Sequence, residues 1–186
     1  MAKTISFSLD PNSIQNAVNE LRQYQREFAQ KCQRFRELIA ERVAWSASRG
    51  FSTSIADDTF AMVRGRGGSR RSMPMQPRHS NVDVQVTHGG DMSVILAEGD
   101  EAVFIEYGAG TYYNGAAGSS PHEWGPMQGY LIGEYGLHNG RKNVWGYKQG
   151  DGWVILTHGT PAAKPMYNGL QEAIRAIDEI AREVFG

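Results

Sequence analysis

The stretch Glu101-Ala-Val-Phe-Ile-Glu-Tyr-Gly-Ala-Gly-Thr111 decides how the chain is read. It is a short apolar run that ends in a glycine turn. Ala102, Val103, Phe104, Ile105 and Tyr107 predict a short helix with a buried face. Phe104, Ile105 and Tyr107 are the expected core residues. Glu106 is a lone acid among apolar neighbours. It is read as a cap or an arginine partner, because a single carboxylate lacks the second group that acid–base chemistry needs. Gly108 and Gly110 permit backbone angles that a β-carbon resists.

Upstream of this stretch, Ile5, Phe7 and Leu9 alternate with polar residues and predict a strand over 3–9. Pro11 suits a first helical turn, with Asn12 or Ser13 as the cap. A long helix is expected over about 12–49, ended by Gly50. Its stripe is Ile14, Val18, Leu21, Tyr24, Phe28, Cys32, Phe35, Leu38 and Ile39. At 1.5 Å per residue it would be roughly 50 Å long, more than one small sheet needs for cover. Two arrangements accommodate that length. Part of the stripe packs on another subunit, or the helix bends near Ala40–Trp45 and folds onto one core. Phe60 and Met62 suggest a strand. Arg64, Arg66, Arg70, Arg71 and Arg78 then fall in a glycine- and proline-rich segment, read as a basic loop or mobile arm over 64–80. Val82, Val84 and Val86 alternate, His88-Gly-Gly-Asp91 turns, and Met92–Ala97 returns as a hairpin.

Downstream, glycine recurs through 108–152 among Tyr112, Tyr113, Trp124, Tyr130, Tyr135, Trp145 and Tyr147. An irregular aromatic loop of this length points to contact surface, and these seven are the subunit-interface candidates. Trp153–Thr157 is a strand. Pro165 opens a C-terminal helix over about 164–185.

The chain has 186 residues, 40% of them hydrophobic, with a net charge of −1. A single domain spanning 1–186 is expected. The chain as a whole is no polycation, so nucleic-acid contact would need a local patch. The lone Cys32 can form neither an intramolecular disulfide nor a thiolate cluster, and its place on the stripe marks it as core. No apolar run of signal-peptide or membrane-span length is present, so a soluble protein made in the cytoplasm is expected.

Chemistry finds little footing. There is no Gly-x-Ser-x-Gly elbow, although Ser119-Ser120 lies near His122. His79, His88, His122, His138 and His158 lack metal-ligand spacing. Gly65-Arg-Gly-Gly is not a phosphate loop, and Gly108-x-Gly110 precedes tyrosines and not a helix. No catalytic residue, metal or cofactor is expected. Two other readings stay open. One is a DNA-binding module using the Arg64–Arg78 arm, marked by salt sensitivity. The other is a hydrolase with a His/Glu site in the glycine loop, built on His122, Glu123 and His158.

Two stretches carry a resemblance. Phe104-Ile-Glu-Tyr-Gly-Ala-Gly-Thr111 resembles the "yvEfGT" motif of the gene-product-10 family of neck and tail-completion proteins of long-tailed bacteriophages. Thr157-His-Gly-Thr-Pro-Ala-Ala-Lys-Pro-Met-Tyr167, with its amphipathic helix, is similar to that family's ending. The chain departs from short family members in residues 112–150, where Trp124-Gly-Pro-Met and Trp145-Gly-Tyr fall. The resemblance implies an α+β fold: a small antiparallel sheet packed by a long N-terminal helix and a C-terminal helix, with a long Gly/aromatic loop. Phe104, Glu106, Tyr107, Gly108 and Pro165 would be its structural motif. It also implies a structural virion protein, a tail terminator-like ring. Six-fold symmetry is favoured, and twelve-fold stays open. Its partners would be the tail tube protein, the head connector or stopper, and genomic DNA passing through the lumen, with no membrane. Residues 64–78 and 112–150 would carry those contacts.

Overall fold

A computed structural model of the chain describes residues 8–54, 59–64, 70–72, 80–108, 122–124, 145–150, 152–157, 159–160 and 162–186. The fold is α+β, with a long N-terminal helix packing small antiparallel sheets and C-terminal helices. The strand expected over 3–9 falls mostly outside these residues. So do Arg66, Arg78, Tyr112, Tyr113, Tyr130, Tyr135 and His158.

The spine is helix α1, Pro11–Thr53, 43 residues long and therefore about 65 Å from end to end. Its cap is Asp10, and neither Asn12 nor Ser13. The Asp10 Oδ1 accepts the backbone N–H groups of Asn12 and Ser13 at 3.0 Å each. Ser8 N–H in turn donates to Ser13 Oγ at 2.8 Å, so three groups of the first turn are satisfied locally. The Ser8 hydroxyl, then the Ser13 amide, hold the Asp10 carboxyl below its usual value. Pro11 occupies the first turn as expected.

Gly50 does not end the helix. The hydroxyls of Ser52 and Thr53 bond the Arg49 carbonyl at 2.9 and 3.0 Å, and Ser54 Oγ bonds the Gly50 carbonyl at 2.6 Å. These donors cover carbonyls that the last turn leaves exposed, which is the signal a search for a terminal glycine passes over. Gly50 serves packing instead: a Cβ there would lie 2.7 Å from Pro165 Cβ.

Burial along α1 is lopsided. Its buried residues are Ala40, Val43, Ala44, Ala47 and Phe51, all in the C-terminal third. There α3, Pro165–Arg175, runs antiparallel against it. A Cβ on Gly169 would sit 2.7 Å from the Val43 carbonyl oxygen, so the two backbones nearly touch. Arg42 Nε donates to Glu172 Oε1 at 3.1 Å and Ser46 Oγ to Glu172 Oε2 at 2.7 Å. The single C-terminal helix expected over 164–185 is in fact two. Ala176 (φ −89, ψ 0) separates α3 from α4, Ile177–Phe185. Its N–H is shared between the Glu172 and Ala173 carbonyls at 3.1 Å each, a tightened turn that needs neither proline nor glycine. α4 then follows α1 outward, and Phe185 meets Phe35 and Phe28 with ring centroids 5.6 and 6.1 Å apart.

Beyond Phe28 nothing described covers the stripe. Leu21, Tyr24 and Phe28 are 55, 49 and 50% exposed. Cys32 is exposed too, which corrects its reading as core. Of the two arrangements open to the long helix, folding the whole stripe onto one core is not the one observed.

The β3–β4 hairpin forms as the alternation predicts: β3 is Asp83–Gly89 and β4 is Met92–Glu98, paired from Asp83↔Glu98 to Gly89↔Met92. Gly90 takes φ +48 in the two-residue turn, a left-handed angle that suits glycine. Val84, Val86, Ile95 and Ala97 are half-buried on the side of α1. Helix α2, Ala102–Tyr107, closes this core: Phe51, Ala102 and Ile105 pack with Val82, Val84, Ala97, Ala163 and Met166. One correction falls on the opening stretch. A single helical turn buries Ala102, Ile105 and Glu106, and it leaves Val103 and Phe104 43 and 40% exposed. Three- and four-residue spacing chooses the acid over those two apolar neighbours.

A second, separate sheet has strand order β2-β1-β6-β5, where β1 is Thr59–Arg64, β2 Arg70–Ser72, β5 Trp145–Gln149 and β6 Trp153–Thr157. All its pairings are antiparallel. So one expected sheet is two. Part of the expected basic loop is strand, with Val63↔Arg70 and Met62↔Arg71 in register. Part of the expected 108–152 loop is strand as well, since Trp145 and Tyr147 lie on β5.

Candidate functional site

Glu106 is the residue around which distant segments meet. It projects from the last turn of α2 and is 6% exposed. Its Oε2 accepts the Met166 N–H at 2.8 Å, and its Oε1 accepts the Tyr167 N–H at 3.0 Å. These are the second and third residues of α3. The residue at the cap position, Lys164, offers no side-chain cap and sits at φ 56, ψ 44. A left-handed lysine before a proline is a strained entry. Glu106 thus caps α3 from another element, placing an anion on the positive end of the helix dipole. The reading of Glu106 as a cap, drawn from its isolation, matches this geometry.

The joint is reinforced on both sides. Ala163 N–H donates to the Ile105 carbonyl at 2.8 Å. Gly108 ends α2 at φ +84, and a Cβ on it would lie 3.1 Å from Ala162 Cβ. Only glycine meets both demands there.

His122 enters from the far side. It is 1% exposed, and its Nε2 lies 2.9 Å from Glu106 Oε1. Nδ1 accepts the Trp124 N–H at 3.0 Å, so the network places a proton on Nε2, which donates to Glu106. Tyr107, Tyr167 and Trp124 surround the imidazole, with centroids 4.6, 5.3 and 5.9 Å away. Trp124 meets Tyr167 edge-on and is 39% exposed. The Tyr167 hydroxyl donates to Glu123, a bond that raises the phenol above its usual value.

The sequence reading kept Glu106 and His122 in separate arguments. The structure joins them across 16 positions, and no periodic signal links them. Glu123, placed beside His122 in a hydrolase reading, turns to Tyr167. Among the described residues, no group of three His, Cys, Asp or Glu could hold a metal ion. Within the same residues, no helix is long and apolar enough to cross a membrane.

Three of the basic candidates, Arg64, Arg70 and Arg71, lie on the second sheet. Arg64 and Arg71 hold their guanidinium carbons 5.8 and 5.5 Å from the Trp153 ring centroid. The arginines form a cluster in the sequence, whereas Trp153 lies far from them in the chain and joins them only in the folded sheet. Pairing of Arg64 with Trp153 across β1 and β6 creates that contact. Arg70 is exposed on β2.

No protein-family model, curated protein or solved structure matches this chain.

Proposed function

We propose that the chain is a structural subunit of a long-tailed phage particle. It assembles into a ring, six-fold in the favoured form, at the head–tail neck or the head-proximal end of the tail tube. There it joins connector to tail as a completion or terminator protein and leaves a lumen for the genome. One observation carries the reading. A 43-residue helix anchors by its C-terminal third and leaves Leu21, Tyr24 and Phe28 about half exposed. A continuous apolar stripe held out from a folded body is contact surface awaiting a partner.

A second observation supports the resemblance. Its two motif stretches, Phe104–Thr111 and Thr157–Tyr167, touch through the Glu106 cap and the Ala163–Ile105 hydrogen bond. That role for Glu106 is structural. Both its oxygens accept hydrogen bonds inside the protein, and His122 beside it is almost fully buried. The test is the mass of the purified chain in solution, with negative-stain images of the same fractions. Rings are expected, or a concentration-dependent shift toward them. A monomer at every concentration that also fails to bind tail tubes or connectors would remove the reading.

The second reading is DNA contact by the sheet that carries Arg64, Arg70 and Arg71. Arg64 and Arg71, on adjacent strands, both lie over Trp153, which favours it.

A further inference from the structure

We propose that His122 is a pH-sensitive latch: its neutral ring holds Trp124 against α3, and a second proton on the ring releases Trp124. The device lies within one chain, so it stands or falls apart from the reading of the chain as a ring subunit.

The segment His122-Glu123-Trp124 is tied to the body at three successive side chains. The His122 ring packs on Tyr107 and Tyr167, with centroids 4.6 and 5.3 Å away. The Tyr167 hydroxyl donates to Glu123. Trp124 meets Tyr167 edge-on at 5.3 Å. Burial is uneven: His122 is 1% exposed and Trp124 39%. The imidazole is the anchor, and the indole is the part free to leave.

One proton acts on the two sides of the ring in opposite senses. Nε2 lies 2.9 Å from Glu106 Oε1, and Nδ1 lies 3.0 Å from the Trp124 nitrogen. A backbone amide only donates, so Nδ1 carries a lone pair there and the ring proton sits on Nε2. In a charged imidazole both nitrogens are donors. A proton on Nδ1 therefore sets two N–H groups against each other across 3.0 Å. The Nε2 side gains from the same event, because its bond to the carboxylate becomes charge-assisted. The ring keeps its hold on Glu106 and sheds Trp124. That selectivity separates a switch from general acid unfolding.

Among the described residues, the charged and titratable groups gathered here come from both helices and from the segment. They are Glu106 and Tyr107 on α2, Tyr167 on α3, Lys164 at the entry to α3 with its Nζ 5.9 Å from the Tyr167 ring centroid, and Glu123. Histidine is the side chain whose charge ordinarily changes between about pH 5 and 8. Glu106 meanwhile serves the Met166 and Tyr167 amides, so the α2–α3 joint stays closed while Trp124 moves. Release uncovers the edge of the Tyr167 ring and frees an indole, a side chain enriched at binding hot spots. Acid thus changes the surface presented at the start of α3.

The experiment compares full-length wild type with H122Q. Glutamine offers an N–H toward Glu106 and a carbonyl oxygen toward the Trp124 N–H, and it takes up no proton in this range. Hydrogen exchange is followed from about pH 8 to pH 5, across the histidine range. Fragmentation mass spectrometry resolves the Trp124 amide, with rates corrected for intrinsic exchange. The slow exchange of the imidazole C2 hydrogen in the same samples gives the protonation midpoint of His122, and circular dichroism checks the fold at each pH. Protection of the Trp124 amide should fall about fivefold or more, the scale of one hydrogen bond, at the midpoint of the ring. The Met166 and Tyr167 amides should keep their protection, and H122Q should show no step. Four results would overturn the latch: a Trp124 amide equally protected throughout in wild type, the same step in folded H122Q, loss of protection at Met166 and Tyr167 together with Trp124, or a ring that stays neutral until the protein unfolds. Should H122Q not fold, the two wild-type midpoints decide: coincidence supports the latch, and midpoints that differ refute it.

Discussion

Replacing Glu106 by alanine tests the joint that holds α2, α3 and the His122 segment together. Truncation strips the acceptor from the Met166 and Tyr167 N–H groups and from His122 Nε2. An unsatisfied buried donor costs about 1–3 kcal/mol, and a lost cap typically about 1 kcal/mol. Water enters the vacated space and recovers part of this, so the sum is not reached. A loss of about 3–5 kcal/mol is expected for E106A. For a chain of this length, that lowers Tm by roughly 6–20 °C.

E106Q separates charge from shape. The amide keeps one acceptor oxygen but turns an NH2 group toward a donor and removes the anion from the helix end. It should fall between wild type and E106A. The assay is thermal melting by circular dichroism, with hydrogen exchange at the Met166 and Tyr167 amides. E106A melting within about 2 °C of wild type, less than 1 kcal/mol for this size, would refute the capping argument. So would unchanged protection at those two amides.

Other outcomes follow from the packing and the charges. Ser46, then Arg42, hold the Glu172 carboxyl below its ordinary value. Its contribution is therefore present above the unfolded value and lost as pH falls through the folded one. E172Q should flatten the fall in melting temperature below about pH 4.5, and a wild-type slope in the variant would count against the tie. G169A should destabilise by about 2–3 kcal/mol in urea unfolding, because its Cβ would lie 2.7 Å from the Val43 carbonyl oxygen; an unchanged midpoint would mean that α1 and α3 separate easily. The isolated chain should bind DNA weakly at physiological salt, its net charge being −1. A steep salt dependence that R64A/R71A flattens would instead favour the DNA-binding reading.

Local patterns made much of the fold legible. The hairpin and the short helix before Gly108 rest on spacing within a few residues, and both formed where expected; the long helix formed too, but it runs on to Thr53 and its stripe is buried only in its C-terminal third. What failed depended on distant neighbours. Gly50 reads as a stop, yet hydroxyls three and four positions on cap the helix, and Pro165 explains the glycine. Arg70 and Arg71 read as loop because a three-residue strand has too little pattern to register. Phe104 reads as core because composition cannot tell which face of a one-turn helix turns inward. Glu106 was legible as an oddity and as a cap. Its partners were not, since the N–H groups it serves lie 60 and 61 positions away.

The lopsided burial of α1 separates stability from assembly. Residues 40–53 are fixed by α3 and the core, whereas residues 11–27 lie beyond the last ring contact with α4 at Phe28. An isolated helix of that length is marginal in water. Local devices support this one: the Asp10 cap, and side-chain bonds from Gln15 to Asn19 and from Gln23 to Glu27 at 3.2 and 2.7 Å. The two side-chain bonds add only a few tenths of a kcal/mol each and the cap about 1 kcal/mol. In the monomer, amides of residues 14–27 should therefore exchange much faster than those of 40–50. Assembly should close that gap, because docking removes the stripe from water. Equal protection along the whole helix in the monomer would mean that the arm is stable without a partner, and the argument from its uncovered stripe would lose its force.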